Sequence, residues 1–347
     1  MHTADAVATK ETKLLYYNIK RIQKEGMAFG QQDATMYGVG WKDEDAPGIF
    51  RSDIKSITGK FPAVEGFDLG HVELGNVQNL DSVSFALMRK HIRKMNRKGA
   101  VICMSWHLDN PVNNGNAWDP TPAVPAILKE GSERQKFELW IERLSNFLKS
   151  LKDEKGKAIP VVFRPFHEMN GSWFWWGGKN VSPEDYKELW RQTHKLLEKN
   201  GVHNLLFAYS PNTVSSEEEY DKYYPGDDFV DILGVDVYNH SGNEAFVKQL
   251  QENLKIIREK AVLAGKPFAL TETGNVNFGA DPQWWTETLL PGIKDSGIAW
   301  FLLWRNARPS HYFATFPGEI SEENFKEFAS KEEILFLPAV RKIRRKK

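Results

Sequence analysis

"VVFRPFHEMNGSWFWWG" occupies residues 161–177 and sets a β-branched run against an Arg, a His, a Glu, an Asn and three Trp. Val161-Val162-Phe163 reads as a buried strand, and Gly171 and Gly177-Gly178 end the stretch with turn chemistry. A core strand does not need so many polar groups, and surface loops rarely carry so many indoles. Glu168 is therefore expected where a buried strand opens into a loop, beside Trp173, Trp175 and Trp176. A carboxylate next to flat apolar faces at a strand mouth is the pattern of a sugar site.

Outward from this stretch the same unit recurs. Apolar runs of strand length lie at 27–33, 61–70, 99–107, 159–168, 204–212, 230–238, 266–274 and 298–306. Amphipathic stretches separate them. Residues 82–99 place Phe85, Met88, Ile92 and Met95 on one face, and 132–156 ends in a basic turn before Gly156. Residues 182–201 open with Ser182 as N-cap and Pro183 at the first helical position, and 243–265 is another helix. Strand–helix alternation with near-continuous apolar strands means a parallel sheet covered by helices. About eight such units point to a closed (β/α)8 barrel, an α/β fold of the TIM type, rather than an open doubly wound sheet. Neither a dinucleotide-binding nor a nucleotide-phosphate glycine loop follows any of these strands. With no repeat or linker, the reading is a single barrel domain over 1–347, with a short N-terminal helical extension and a basic C-terminal tail.

Composition narrows the partners. Lys plus Arg (46) balance Asp plus Glu (46) in 347 residues, so no net field draws a polyanion or an acidic membrane. The expected partner is neutral, and nucleic acid is not expected. Cys103, the one cysteine, sits in the apolar run "GAVICMSWH" and reads as core. No segment is long enough to span a bilayer, and "MHTADAVATK" carries no apolar export region. The terminal "RKIRRKK" reads as a solvated charge run.

In parallel barrels the active site forms at the carboxyl ends of the strands. Here those ends carry His107, His167-Glu168, Ser210 to Asn212, Asp236-Val237-Tyr238, Thr271-Glu272-Thr273 and Trp304-Arg305-Asn306. Glycoside hydrolysis needs two carboxyl groups across the scissile bond, one to protonate the leaving oxygen and one to attack or activate water. Glu168, with Arg164, His167 and the indoles around it, has the desolvating surroundings of a general acid. Glu272, in polar "LTETGN", has those of an ionised nucleophile. Trp173, Trp176 and Trp304 are candidate sugar platforms, whereas Trp140 and Trp190 fall in helix patterns and read as packing. Trp284-Trp285 reads as either.

"RPFHEMNGSWFWWG" and "LTETG" resemble the acid/base and nucleophile segments of glycoside hydrolase family 26, whose characteristic members are β-mannanases. The resemblance spans essentially the whole chain. It implies a retaining barrel enzyme with catalytic glutamates on strands four and seven: Glu168 as acid/base and Glu272 as nucleophile. It further implies substrate contacts from His107 in "SWH", His167, Trp173, Asp236 and Tyr238 in "DVY", and Trp304-Arg305. Arg164, beside Glu168, is a further substrate-binding candidate. The implied reaction is endo-cleavage of β-1,4-mannosidic linkages in mannan, galactomannan, glucomannan and manno-oligosaccharides, without metal or cofactor. A polymer substrate implies a periplasmic or secreted mature form. The alternatives are a relative cutting another β-glycan, such as β-glucan or xylan, and a non-catalytic glycan-binding barrel. "HEMNG" begins like a zinc-binding helix motif, but residue 171 is Gly where a second His is needed.

Overall fold

The computed structural model describes residues 3–45, 50–276 and 281–345. Lys346 and Lys347 of the expected basic tail lie outside the described residues. Eight parallel strands form a closed barrel: β1 (Met27–Gln32), β2 (Val64–Asp68), β3 (Val101–Trp106), β4 (Val161–Pro165), β5 (Leu205–Tyr209), β6 (Ile232–Asn239), β7 (Phe268–Asn275) and β8 (Trp300–Leu303). Spatial order follows chain order, and β1 pairs with β8 (Ala28 with Trp300, Gln31 with Leu303) to close the ring. A short ninth strand, β9 (Ile334–Leu335), adds to β1 outside the ring. Every residue of β1 to β5 is buried, as parallel strands covered by helices require.

Each apolar run foreseen in the sequence holds one strand, starting up to three residues later in most cases, with β6 and β7 running one residue past the foreseen end. The helices follow suit. Helix α1 is Lys10–Glu25 and α2 is Phe85–Lys98, whose Phe85, Met88, Ile92 and Met95 are buried. Helix α3 (Arg134–Ser150) stops earlier than expected: Gly156 lies in the turn that Lys152 and Ala158 bridge, with φ at +77°. Helix α4 (Pro183–Lys199) starts as foreseen, the Ser182 hydroxyl accepting from the Asp185 N–H at 3.1 Å. Helix α5 (Asn243–Ala264) ends on left-handed Gly265.

The chain's contacts fall into two compact units. One comprises Met1–Tyr16, Phe67–Arg93 and Cys103–Ile232, the other Tyr17–Gly66, Lys94–Ile102 and Leu233–Lys347. The first packs Trp190, His194 and Tyr209 around Phe207 and Tyr220. The second centres on Phe29, with Phe301, Phe325 and Phe336 within 5.6 Å of it. Trp284 and Trp285 are fully buried there, in and just before a π-helical turn, which makes them packing residues. The basic terminus is helical, with Arg341, Lys342 and Arg345 exposed as solvated charges. It forms helix α6 (Leu337–Arg345), with Leu337, Val340 and Ile343 buried and Arg344 donating to the Gly99 and Ala100 carbonyls. Among the described residues no helix is long and apolar enough to cross a membrane.

Candidate active site

Strand β4 ends at Pro165, whose ring has no N–H to continue a ladder. The chain then turns sharply: Phe166 and Glu168 both adopt left-handed backbone, with φ of +50° and +53°. Side chains rarely tolerate that region, and it persists where the surroundings over-determine it. Here Phe166 is anchored among Trp106, Trp175 and Trp176, and the Glu168 N–H donates to the Ser210 carbonyl at 2.8 Å. The turn lifts Glu168 to a half-buried position. Its Oε2 accepts from Trp173 Nε1 at 2.9 Å, and its Oε1 accepts from Asn212 Nδ2 at 3.0 Å. Gly171 permits this, because a β-carbon there would run into the Trp173 ring. Trp173 leaves 39% of its surface exposed, the geometry of an indole that can meet a ligand.

His107, just past β3, is fixed from below. Asp68 Oδ2 lies 2.6 Å from His107 Nδ1 and accepts from Ser105 Oγ at 2.6 Å, while Oδ1 accepts from Gly70 N–H at 2.7 Å. Burial alone would raise the Asp68 pKa. The His107 charge and these hydrogen bonds outweigh it and hold the carboxyl below its usual range. His167 meets His107 edge-on at 4.5 Å. Burial, and then the nearby His107 and Arg164 cations, push His167 well below the ordinary histidine value. It is therefore neutral near pH 7. Trp118 stacks on His107 at 5.1 Å with 48% of its surface exposed.

In the other unit, β6 and β7 run in register, Asp236 beside Glu272 and Tyr238 beside Gly274, after an irregularity at Val235/Asp236. The Tyr238 phenol donates to Glu272 Oε2 at 3.0 Å, and Glu272 is only 4% exposed. Phe313 packs on Tyr238 at 5.6 Å, and Asn306 holds its loop by accepting from the Phe313 and Ala314 N–H groups. Arg305 donates to the Tyr37 hydroxyl at 3.3 Å, which donates to Asp33 at 2.9 Å. Trp304 is half-buried at the end of β8.

Three of the residues expected to touch a ligand are enclosed in the structure. Trp176 is fully buried, stacked on Phe174 and donating to the His167 carbonyl, so it offers no face as a platform. Arg164 is 2% exposed and donates to Ser210 Oγ. Asp236 is fully buried beside Glu272, with a carboxylate oxygen within 4.8 Å of one of Glu272's. His167 is 1% exposed. The sequence reading assigned no task to Asn212, Asp68, Trp118, Tyr37 or Asp33. Only Asn212 carried a signal, as the last polar residue after the fifth strand.

The sequence profile described as "Glycosyl hydrolase family 26" matches residues 4–307. A solved GH26 β-mannanase of Bacteroides ovatus superposes with a TM-score of 0.91 at 45% identity, covering 95% of this chain and 96% of that one. A mannan endo-1,4-β-mannosidase of Bifidobacterium adolescentis is 33% identical over 287 residues, 79% of this chain and 28% of that protein. One from Bacillus subtilis is 30% identical over 232 residues, 64% of this chain and 60% of that protein. The chain thus spans less than two thirds of the length of these two curated relatives. With a closed parallel barrel and the family profile across most of its length, the chain belongs to glycosyl hydrolase family 26.

Proposed function

We propose that this chain is a retaining endo-β-1,4-mannanase, with Glu272 as nucleophile and Glu168 as acid and base. The observation that carries the reading is the contrast between the two glutamates. Glu272 is almost fully enclosed under a phenol donor, whereas Glu168 is half-buried at a rim with an exposed indole on it. The names of the relatives in the two organisms with curated mannosidases, and of the Bacteroides ovatus structure, supply the substrate.

In the first step a Glu272 oxygen bonds to the anomeric carbon as the glycosidic C–O bond breaks. Glu168 gives its proton to the departing oxygen, leaving a glycosyl-enzyme. In the second, Glu168 takes a proton from water, the water oxygen bonds to the anomeric carbon, and Glu272 is released as carboxylate. This requires the two carboxyl groups to stand about 5–5.5 Å apart. The Tyr238 donor favours the charged form of Glu272 that the first step needs. Trp173 and Trp304 offer faces to sugar C–H groups, while His107 and Arg305 bind hydroxyls. Arg164, His167, Trp176 and Asp236 support them. The partners are neutral mannans and manno-oligosaccharides, and the place of work is the periplasm or the medium. The test is product analysis from linear β-1,4-mannan beside Glu168→Ala and Glu272→Ala. Release of manno-oligosaccharides that falls by orders of magnitude in both variants supports the reading. Mannan left intact by the unmodified chain, or near-normal activity in either variant, contradicts it.

A further inference from the structure

We propose that Asn212 is the residue that sets Glu168 for proton transfer, fixing Oε1 as a permanent acceptor and leaving Oε2 to carry the proton. This rests on Glu168 being the acid and base. Two features of the turn make such a device necessary. The Glu168 backbone is left-handed, a conformation its own side chain opposes, and the strand below it has already ended at Pro165. Something outside the turn must hold the carboxyl group, and the end of β5 does so.

The orientation of the Asn212 amide is not free. Its Oδ1 accepts from the Thr213 N–H at 2.8 Å and from the Thr213 hydroxyl at 3.0 Å. Both are donors, so Nδ2 is the group turned to Glu168 Oε1, 3.0 Å away. Asn170, two residues past Glu168, completes a reciprocal clasp. Its Oδ1 accepts from the Asn212 N–H at 2.8 Å, and its Nδ2 donates to the Asn212 and Thr213 carbonyls at 3.1 and 2.9 Å. The Glu168 N–H adds its bond to the Ser210 carbonyl. The Ser210-Pro211-Asn212 strand end thus holds both the backbone and one oxygen of Glu168.

The two donors on the carboxyl group are unlike. Asn212 is held by the clasp and by Thr213. Trp173 comes from an exposed side and is able to give way when its oxygen carries a proton to a leaving group. An amide has no proton to lend at neutral pH, so Asn212 is a positioning residue. Removing it misdirects the acid without removing it.

The experiment compares two leaving groups. With mannopentaose the leaving sugar oxygen needs Glu168's proton; with 2,4-dinitrophenyl β-mannobioside it does not. Asn212→Ala is expected to lower kcat/KM about ten- to a hundredfold on mannopentaose, the effect of one charge-assisted hydrogen bond. Its KM stays within about twofold of the unmodified chain's, and kcat/KM on the aryl mannobioside falls by less than about threefold. Asn212→Asp keeps the acceptor for Thr213 and loses the donor. It guards against a folding artefact, with a melting temperature expected within about 2 °C and a comparable loss on mannopentaose. Equal losses on both substrates would make Asn212 a structural prop, and no loss on mannopentaose would make it idle; either overturns the proposal. Glu168→Gln runs alongside. Should that variant keep its activity on mannopentaose, the assignment of Glu168 fails first. If it is inactive while both Asn212 variants behave as unmodified chain, the proposal alone fails.

Discussion

Replacing Tyr238 by Phe takes one oxygen from the structure and leaves the ring in place. That oxygen is the donor, at 3.0 Å, to Glu272 Oε2, and Glu272 is 4% exposed, so water has little access to substitute for it. A hydrogen bond to a charged group is worth about 1.5–3 kcal/mol. At about 1.4 kcal/mol per tenfold, the expected fall in kcat/KM on manno-oligosaccharides is about ten- to a hundredfold. The ring's packing against Phe313 survives, so stability should change by less than about 1 kcal/mol. The assay pairs steady-state rates on mannotetraose and mannopentaose with thermal melts. A variant within twofold of the unmodified chain on both substrates, melting at the same temperature, would refute the argument that this phenol prepares Glu272.

Gly171→Ala should drive the Trp173 ring off Glu168, lowering kcat/KM about tenfold with little change in melting temperature; rates on mannopentaose decide it. Ser182→Ala removes the hydroxyl that caps α4 and should cost about 1 kcal/mol, readable as a shift in urea midpoint. His194 is buried beside Phe207 and Phe229, and burial lowers its pKa to about 4 despite the opposing pull of Asp5. Unfolded, it titrates near 6.5, so between about pH 6.5 and 4 the unfolded chain binds a proton the folded chain does not. Stability should therefore fall with pH in that window, by up to about 3 kcal/mol from this group. Urea titrations of His194→Gln should show a shallower slope there, and an unchanged slope would disprove the attribution.

Much of this architecture is written in local pattern. Parallel strands enclosed on both faces must be apolar along their length, so "VICMSW" and "VVF" announce themselves, and polar residues at their carboxyl ends stand out against them. Glu168, Glu272 and Tyr238 were visible for that reason. Where pattern runs out, tertiary placement decides. Trp173 and Trp176 lie three residues apart in one motif, yet one is a rim indole and the other a buried wedge. Trp176 is closed in by Phe174 and the His167 carbonyl, whereas Trp173 reaches over to Glu168. Asn212 lies 44 residues from Glu168, and nothing local marks its amide as that carboxylate's partner. The early end of α3 and the helix in the basic terminus have the same origin. Leu151 leaves the helix so that Ile159 can donate to its carbonyl, and the terminal Ile343 finds a buried seat between charges.

The most direct test of the central claim is a covalent trap. A 2-deoxy-2-fluoro-mannobiosyl fluoride should load the enzyme and release it slowly, leaving the sugar on the nucleophile for peptide mass spectrometry. The account predicts one glycosyl adduct, on the peptide carrying Glu272, and none in Glu272→Ala. An adduct on any other carboxylate would contradict it, as would a mannan-degrading enzyme that never acquires one.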